Sequence, residues 1–183
     1  MTRRALLGMA SMLASAASPA TLHLTAAGGK PVQIATGDGK VTVVIFISTL
    51  CPISAAYHDR YRAIVSACKG KPVQFVFVNS NDNETLAEVQ QHALDSELGF
   101  PVYKDWKNVV ADQLHASMTP EAFVLDGRGV VRYHGAIDDA KYEVRVKIAA
   151  LRDALDAVLA GKPVVRAELK AFGCTIHRYR KIS

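Results

Sequence analysis

At 183 residues, 50% hydrophobic and 21% charged, the chain has the make-up of one globular domain large enough to bury its own core without disulfide or metal staples. Three cysteines exclude a disulfide-rich scaffold, and no Cys/His cluster has the spacing of a structural zinc site. The net charge of +5 lies entirely in residues 162–183, where six Lys/Arg face one acid, so the body of the chain lacks the basic patch of a nucleic-acid binder.

Residues 1–20 read MTRRALLGMASMLASAASPA: two arginines, an apolar stretch from Ala5 to Leu13, and small residues at Ala14-Ser15-Ala16. That order predicts an export signal of the general secretory or twin-arginine kind, too short in its apolar part to span a bilayer, with a mature protein starting near Ala17. Export would place the protein in the periplasm or outside the cell, where cysteines meet an oxidising environment. Residues 21–161 are then the folded domain. Residues 162–183 are expected to be a solvated basic tail, carrying Cys174 and able to touch an acidic surface such as membrane headgroups.

Thr21–Leu24 and Pro31–Ile34 alternate in polarity and predict a short strand pair. Val41–Ile47 is a nearly unbroken β-branched run, the signature of a strand buried on both faces. Ser48-Thr49-Leu50-Cys51-Pro52 follows, then one helix to about Cys68, with Pro52 in the first turn where its missing N–H costs nothing. Val73–Val78 is a second buried strand. Asn81–Asn83 supplies cap residues for a helix over Glu84–Leu98, with Leu86, Val89, Ala93 and Leu94 at helical spacing. Pro101–Tyr103 is a short extended piece, and Asn108–His115 a short helix. Glu121–Leu125 and Val130–His134 form a hairpin around Asp126-Gly127-Arg128-Gly129, whose glycines are expected at positive φ. Val144–Leu159 is read as a long amphipathic helix closed by Gly161 and Pro163. This alternation predicts an α/β fold with a mixed central sheet flanked by helices, and its order resembles the thioredoxin arrangement.

Cys51 is the residue with a physical reason to react. It follows a buried strand and opens a helix, whose first-turn N–H groups and dipole favour a thiolate, at the sheet edge where open α/β folds expose their sites. Around it, VVIFISTLCPIS (43–54), VQFVFVNSN (73–81), FPVYKD (100–105), VADQL (110–114) and TPEAFVLDGRGVVRYHG (119–135) resemble the thioredoxin-like redoxin family that includes the alkyl hydroperoxide reductase/thiol-specific antioxidant proteins, the peroxiredoxins. By that resemblance Thr119-Pro120 takes the position of a cis-proline facing the active cysteine, with the Thr119 backbone free to pair with an extended thiol substrate.

The departures from the family pattern are specific. Ser54 stands where a thioredoxin has its second cysteine, leaving a monothiol site. Ser48 fits the hydroxyl position of a peroxiredoxin, three residues before Cys51, but Val44 stands where its proline belongs. Arg132 is the candidate for the activating arginine. A copper-delivering relative would need a cysteine where Ile47 stands. The resemblance therefore implies an exported thiol oxidoreductase whose Cys51 thiolate performs thiol–disulfide exchange or peroxide reduction, with Ser48 and Thr49 supplying hydroxyls, no metal or organic cofactor, and a thiol protein or a peroxide as partner. A non-catalytic binding module on the same face is the alternative from another class.

Cys68 lies 17 residues along the expected helix, roughly 25 Å from Cys51 at 1.5 Å per residue, beyond disulfide reach. His58, seven residues on, is too far along the same helix to share a metal ion with Cys51. Cys174, in Phe172-Gly173-Cys174-Thr175-Ile176, sits on a segment expected to swing about Gly173. It is a candidate resolving cysteine, with an unpaired or intermolecularly bonded tail thiol as the equal alternative. Trp106, Tyr57 and Tyr61 are expected to be packing residues.

Overall fold

A computed structural model describes residues 21–180; the expected export signal lies outside them. Strands β1 (Thr21–Thr25) and β2 (Pro31–Ala35) pair antiparallel. β3 (Val41–Phe46) is followed by α1 (Pro52–Ala55) and α2 (His58–Ala67), then β4 (Val73–Asn79), α3 (Leu86–Asp95), β5 (Val102–Lys104), α4 (Val109–Leu114) and the two-residue β6 (Met118–Thr119). β7 (Glu121–Leu125) and β8 (Val131–Gly135) form the expected hairpin, α5 spans Ala150–Leu159, and the chain closes with β9 (Glu168–Leu169) and β10 (Cys174–Thr175). Eight strands make one mixed sheet in the order β2-β1-β5-β4-β3-β7-β8-β9, with β3 parallel to β4 and β4 to β5, and β7 antiparallel to β3.

β3 explains the layering. All six of its residues are buried, and because side chains alternate across a strand, Val43 and Ile45 enter one apolar cluster while Val44 and Phe46 enter the other. The first cluster is covered by α2 through Tyr61 and Ile64 with its N-cap Tyr57, by α3 through Val89, and by α5 through Leu151 and Leu155. The second is covered by Val110 and Ala111 of α4, with Leu22 and Leu24 of β1. The carboxyl ends of β3 and β4 therefore open on the same edge of the sheet, where residues 48–51 and 80–84 leave it.

Four expectations are corrected. The helix after Cys51 is two helices, because the chain tightens at Ala56–Tyr57, where the Tyr57 N–H bonds Ser54 O three residues back. The helix expected from Glu84 starts at Leu86, since Thr85 forms a capping box with Glu88, and Leu94 is exposed. The helix expected from Val144 starts at Ala150, because the Asp139 carboxylate takes the Lys147 and Ile148 amides at 2.9 and 3.0 Å and holds that stretch as a loop. In the 126–129 turn only Gly129 has positive φ.

The largest correction concerns residues 162–180, which are docked on the domain, running from beside the β7–β8 turn back to the site end of the sheet. β9 pairs with β8, and β10 pairs antiparallel with β6. Beyond them Ile176 is buried, His177 exchanges hydrogen bonds with the 81–82 loop, and Arg178 bridges to Asp112 at 2.6 Å. Among the described residues no helix is long and apolar enough to cross a membrane.

Candidate active site

The loop that carries Cys51 rests on a buried carboxylate. Glu84, released from α3 by the Thr85 cap, accepts hydrogen bonds from Ser48 Oγ (2.6 Å), Thr49 N (2.7 Å), Thr49 Oγ1 and Asn79 Nδ2 (2.8 Å). The Lys104 ammonium lies beneath, its three N–H groups donating to Asn79 Oδ1 at 2.9 Å and to the carbonyls of Asn81 and Glu84. Burial pulls the Lys104 pKa down, against the opposing pull of Glu84, Asp82 and Asp105. Ser48 is fully committed: its single O–H is donated to Glu84 while its oxygen accepts the Leu50 and Cys51 amides at 3.2 and 3.1 Å. Both hydroxyls expected to serve the thiol therefore hold the loop instead, a correction that follows from their having one proton each.

Cys51 is the N-cap of α1, with Pro52 in the first turn. Its sulfur accepts the Ser54 amide at 3.4 Å, and its S–H points to the Thr119 carbonyl at 3.1 Å. The Thr119–Pro120 peptide is cis. Ser54 is fully buried, and its hydroxyl oxygen accepts the Ser48 amide at 3.3 Å. The start of β6 is held by Glu121, whose carboxylate takes the Ser117 and Met118 amides at 2.7 and 2.9 Å.

Cys174 pairs in register with Thr119, the residue whose carbonyl accepts the Cys51 S–H, so the two cysteines are brought to the same place. The segment expected to swing about Gly173 is docked on β6 in this structure. At φ +148° that residue lets the chain approach so closely that a Cβ would fall 2.1 Å from the Thr119 carbonyl oxygen. Burial pushes the Cys51 thiol up, but the hydrogen bonding around its sulfur, with Cys174 and the Ser54 amide foremost, outweighs it, and its pKa lies below the ordinary thiol value. Burial and the neighbouring Cys51 push Cys174 to about 11. The pair is therefore an acidic thiol facing a proton-holding one. Cys51 is only 1% exposed beneath the tail strand.

A match to the AhpC/TSA family model runs over residues 16–134, well over half of the chain. The chain belongs to the AhpC/TSA family. A hypothetical protein from Sinorhizobium meliloti 1021 is 32% identical, with a TM-score of 0.79 over 88% of this chain and 93% of its own. A thiol:disulfide interchange protein of the thioredoxin family from Chlorobium tepidum, 21% identical, superposes with a TM-score of 0.60 over 78% of this chain and 96% of its own. The fold is thioredoxin-like. The thiol:disulfide interchange protein DsbE of Tatumella citrea is 28% identical over 106 residues, 58% of this chain and 55% of the relative, so the match spans about half of that curated protein.

Within this AhpC/TSA chain the other expected residues lie elsewhere. Arg132 pairs with Asp126 at 2.7 Å beside the β7–β8 turn. Because β7 runs antiparallel to β3, that turn lies at the end of the sheet opposite Cys51. Cys68 ends α2 in the core, where burial raises its pKa. His58 rests on the His92 ring, and Tyr57 and Tyr61 are core residues. Trp106 is half-exposed, contrary to a packing role, with the Lys104 ammonium 5.3 Å from its ring. Glu84, Lys104, Asn79 and Glu121 are the site residues that sequence reasoning missed. The one available signal was Thr85-x-x-Glu88, a capping box that frees Glu84 from the helix.

Proposed function

We propose that this protein is an exported thiol–disulfide oxidoreductase in which Cys51 is the attacking thiol and Cys174 the resolving one. The observation that carries the reading is the strand pairing that sets Cys174 opposite Thr119, the residue whose carbonyl accepts the Cys51 S–H; the two pKa values are pushed in opposite directions. Family membership and the similarity to a thiol:disulfide interchange protein support it. The N-terminal Arg3-Arg4, apolar stretch and small residues support export.

The cycle balances as follows. The Cys51 thiolate attacks one sulfur of a partner disulfide, that S–S bond breaks, and the leaving sulfur departs as a thiolate that takes a proton from water. Cys174 then loses its proton and attacks the Cys51 sulfur of the mixed disulfide. The partner leaves with both its sulfurs reduced, and two electrons have passed from the Cys51/Cys174 dithiol to it. An external dithiol protein reduces the resulting Cys51–Cys174 disulfide. Peroxide reduction is the weaker reading, since the Ser48 proton is spent on Glu84 and Arg132 lies at the far end of the sheet.

Single-turnover reaction of the reduced protein with a disulfide-linked model peptide tests this. Wild type releases both peptide thiols, Cys174→Ser stalls as a Cys51–peptide mixed disulfide, and Cys51→Ser is inert. Release of peptide thiols by Cys51→Ser at the wild-type rate would refute the assignment.

A further inference from the structure

The strand that covers Cys51 is the chain's own tail, and it is seated as an added strand. β10 pairs antiparallel with β6, with Cys174 opposite Thr119 and Thr175 opposite Met118, and the pairing continues through Ile176 N to Ser117 O at 2.9 Å. The Thr119 hydroxyl bonds the Cys174 carbonyl at 3.3 Å. Each position of this strand meets a different demand. Gly173 packs so tightly that a Cβ would meet the Thr119 carbonyl oxygen at 2.1 Å and Pro120 Cδ at 3.1 Å. Cys174 lies opposite Thr119, whose carbonyl accepts the Cys51 S–H, Thr175 faces solvent, and Ile176, 1% exposed, enters the apolar cluster that holds Val110, Ala111 and Ala116. With Cys51 itself 1% exposed, no outside sulfur reaches it while this strand is seated.

We infer that residues 173–176 are a built-in copy of the substrate. The site takes an extended peptide that places a cysteine on Cys51, with glycine before the cysteine and a branched apolar residue two positions after it, and this peptide enters by displacing β10 from β6. The inference rests on the reading of Cys51 as an exchanging thiol and adds to it a peptide class and a route of entry. Strand addition supplies hydrogen bonds along Ser117–Thr119, while the glycine and apolar positions supply selectivity. The same exchange of strands orders the cycle: the tail leaves for the substrate strand to bind, and its return expels the product and brings Cys174 to the mixed disulfide. No reactant is needed beyond the partner disulfide and reducing dithiol already named.

The test uses the full reduced protein and disulfide-linked homodimers of the peptide Ala-Phe-Gly-Cys-Thr-Ile-His, the sequence of residues 171–177. Two altered peptides carry alanine for the glycine or aspartate for the isoleucine, and glutathione disulfide serves as a small reference. The parent peptide should react with Cys51 about tenfold or more faster than either altered peptide, the factor that separates a fitted pocket from a clash or a misplaced charge. Gly173→Ala, which unseats the tail, should speed mixed-disulfide formation with the parent peptide about tenfold or more; Ile176→Asp, at the other anchor, gives the same result by an independent route. Equal rates for all three peptides, with Cys51 still exchanging with glutathione disulfide, would overturn the inference while leaving the redox reading intact. Absence of any Cys51-dependent exchange would overturn both.

Discussion

Replacing Glu84 by glutamine removes one negative charge from the centre of the site while keeping its shape. The carboxylate accepts four hydrogen bonds, three of them on Oε2. In Glu84→Gln the amide oxygen serves the three donors from Thr49 and Asn79 only if its NH2 faces Ser48. The Ser48 oxygen already accepts two amides, so that pair is lost. One charge-assisted hydrogen bond gone costs about 1.5–3 kcal/mol, and the remaining three weaken from charge-assisted to neutral, giving a total of roughly 3–5 kcal/mol. For a domain of this size the melting temperature should fall by about 6–20 °C. The structural loss has a titration signature that simple loosening lacks. The Glu84 charge is among the groups that raise the Cys174 pKa to about 11, so Cys174 should alkylate at lower pH in the variant. Thermal melts followed by circular dichroism, with peptide-resolved alkylation against pH, measure both. A melting temperature within about 2 °C of wild type and an unmoved Cys174 profile would refute the argument that Glu84 organises the site.

Removing the Cys174 donor in Cys174→Ala takes away a hydrogen bond that stabilises the Cys51 thiolate, so the midpoint of Cys51 alkylation should rise; an unchanged midpoint would contradict the placement of Cys174 beside Cys51. Asp138→Ala takes the carboxylate from Arg60, which pairs with it at 2.6 Å, and from the Tyr57 hydroxyl, 2.7 Å away, leaving both only backbone carbonyls and the Arg60 charge uncompensated. The loss of one partner of a buried pair should cost about 3–5 kcal/mol, seen as a melting temperature lower by roughly 6–20 °C. Arg132→Ala should leave the rate of Cys51 oxidation by hydrogen peroxide within about twofold of wild type, since its Asp126 pair is a surface contact at the far end of the sheet. A tenfold loss would restore Arg132 to the site.

The strand–turn–helix around Cys51 was legible because three local signals agree there: a run of β-branched residues too apolar for a surface strand, a proline that tolerates only the first helical turn, and a cysteine between them. Thr119-Pro120 was legible through the resemblance. What sequence could not supply was the use made of side chains after the elements assemble. Ser48 has the spacing of a hydroxyl serving Cys51, yet its proton goes to a residue 36 positions away. Periodicity carries Val144 and Ile148 as helical because it cannot see Asp139 capturing the amides ahead of α5. The charge of residues 162–183 suggested solvation, whereas the decisive features are uncharged: a glycine without a Cβ, an isoleucine in an apolar cluster and a strand register that depends on β6 lying outside the eight-stranded sheet. These are long-range facts, invisible to any window along the chain.

The most direct test of the account is disulfide mapping of the full-length protein after one equivalent of diamide, by peptide mass spectrometry under non-reducing conditions. The account predicts a single intramolecular Cys51–Cys174 bond with Cys68 still a free thiol. Cys174 recovered reduced or bonded to another chain, with Cys51 oxidised alone, would contradict it.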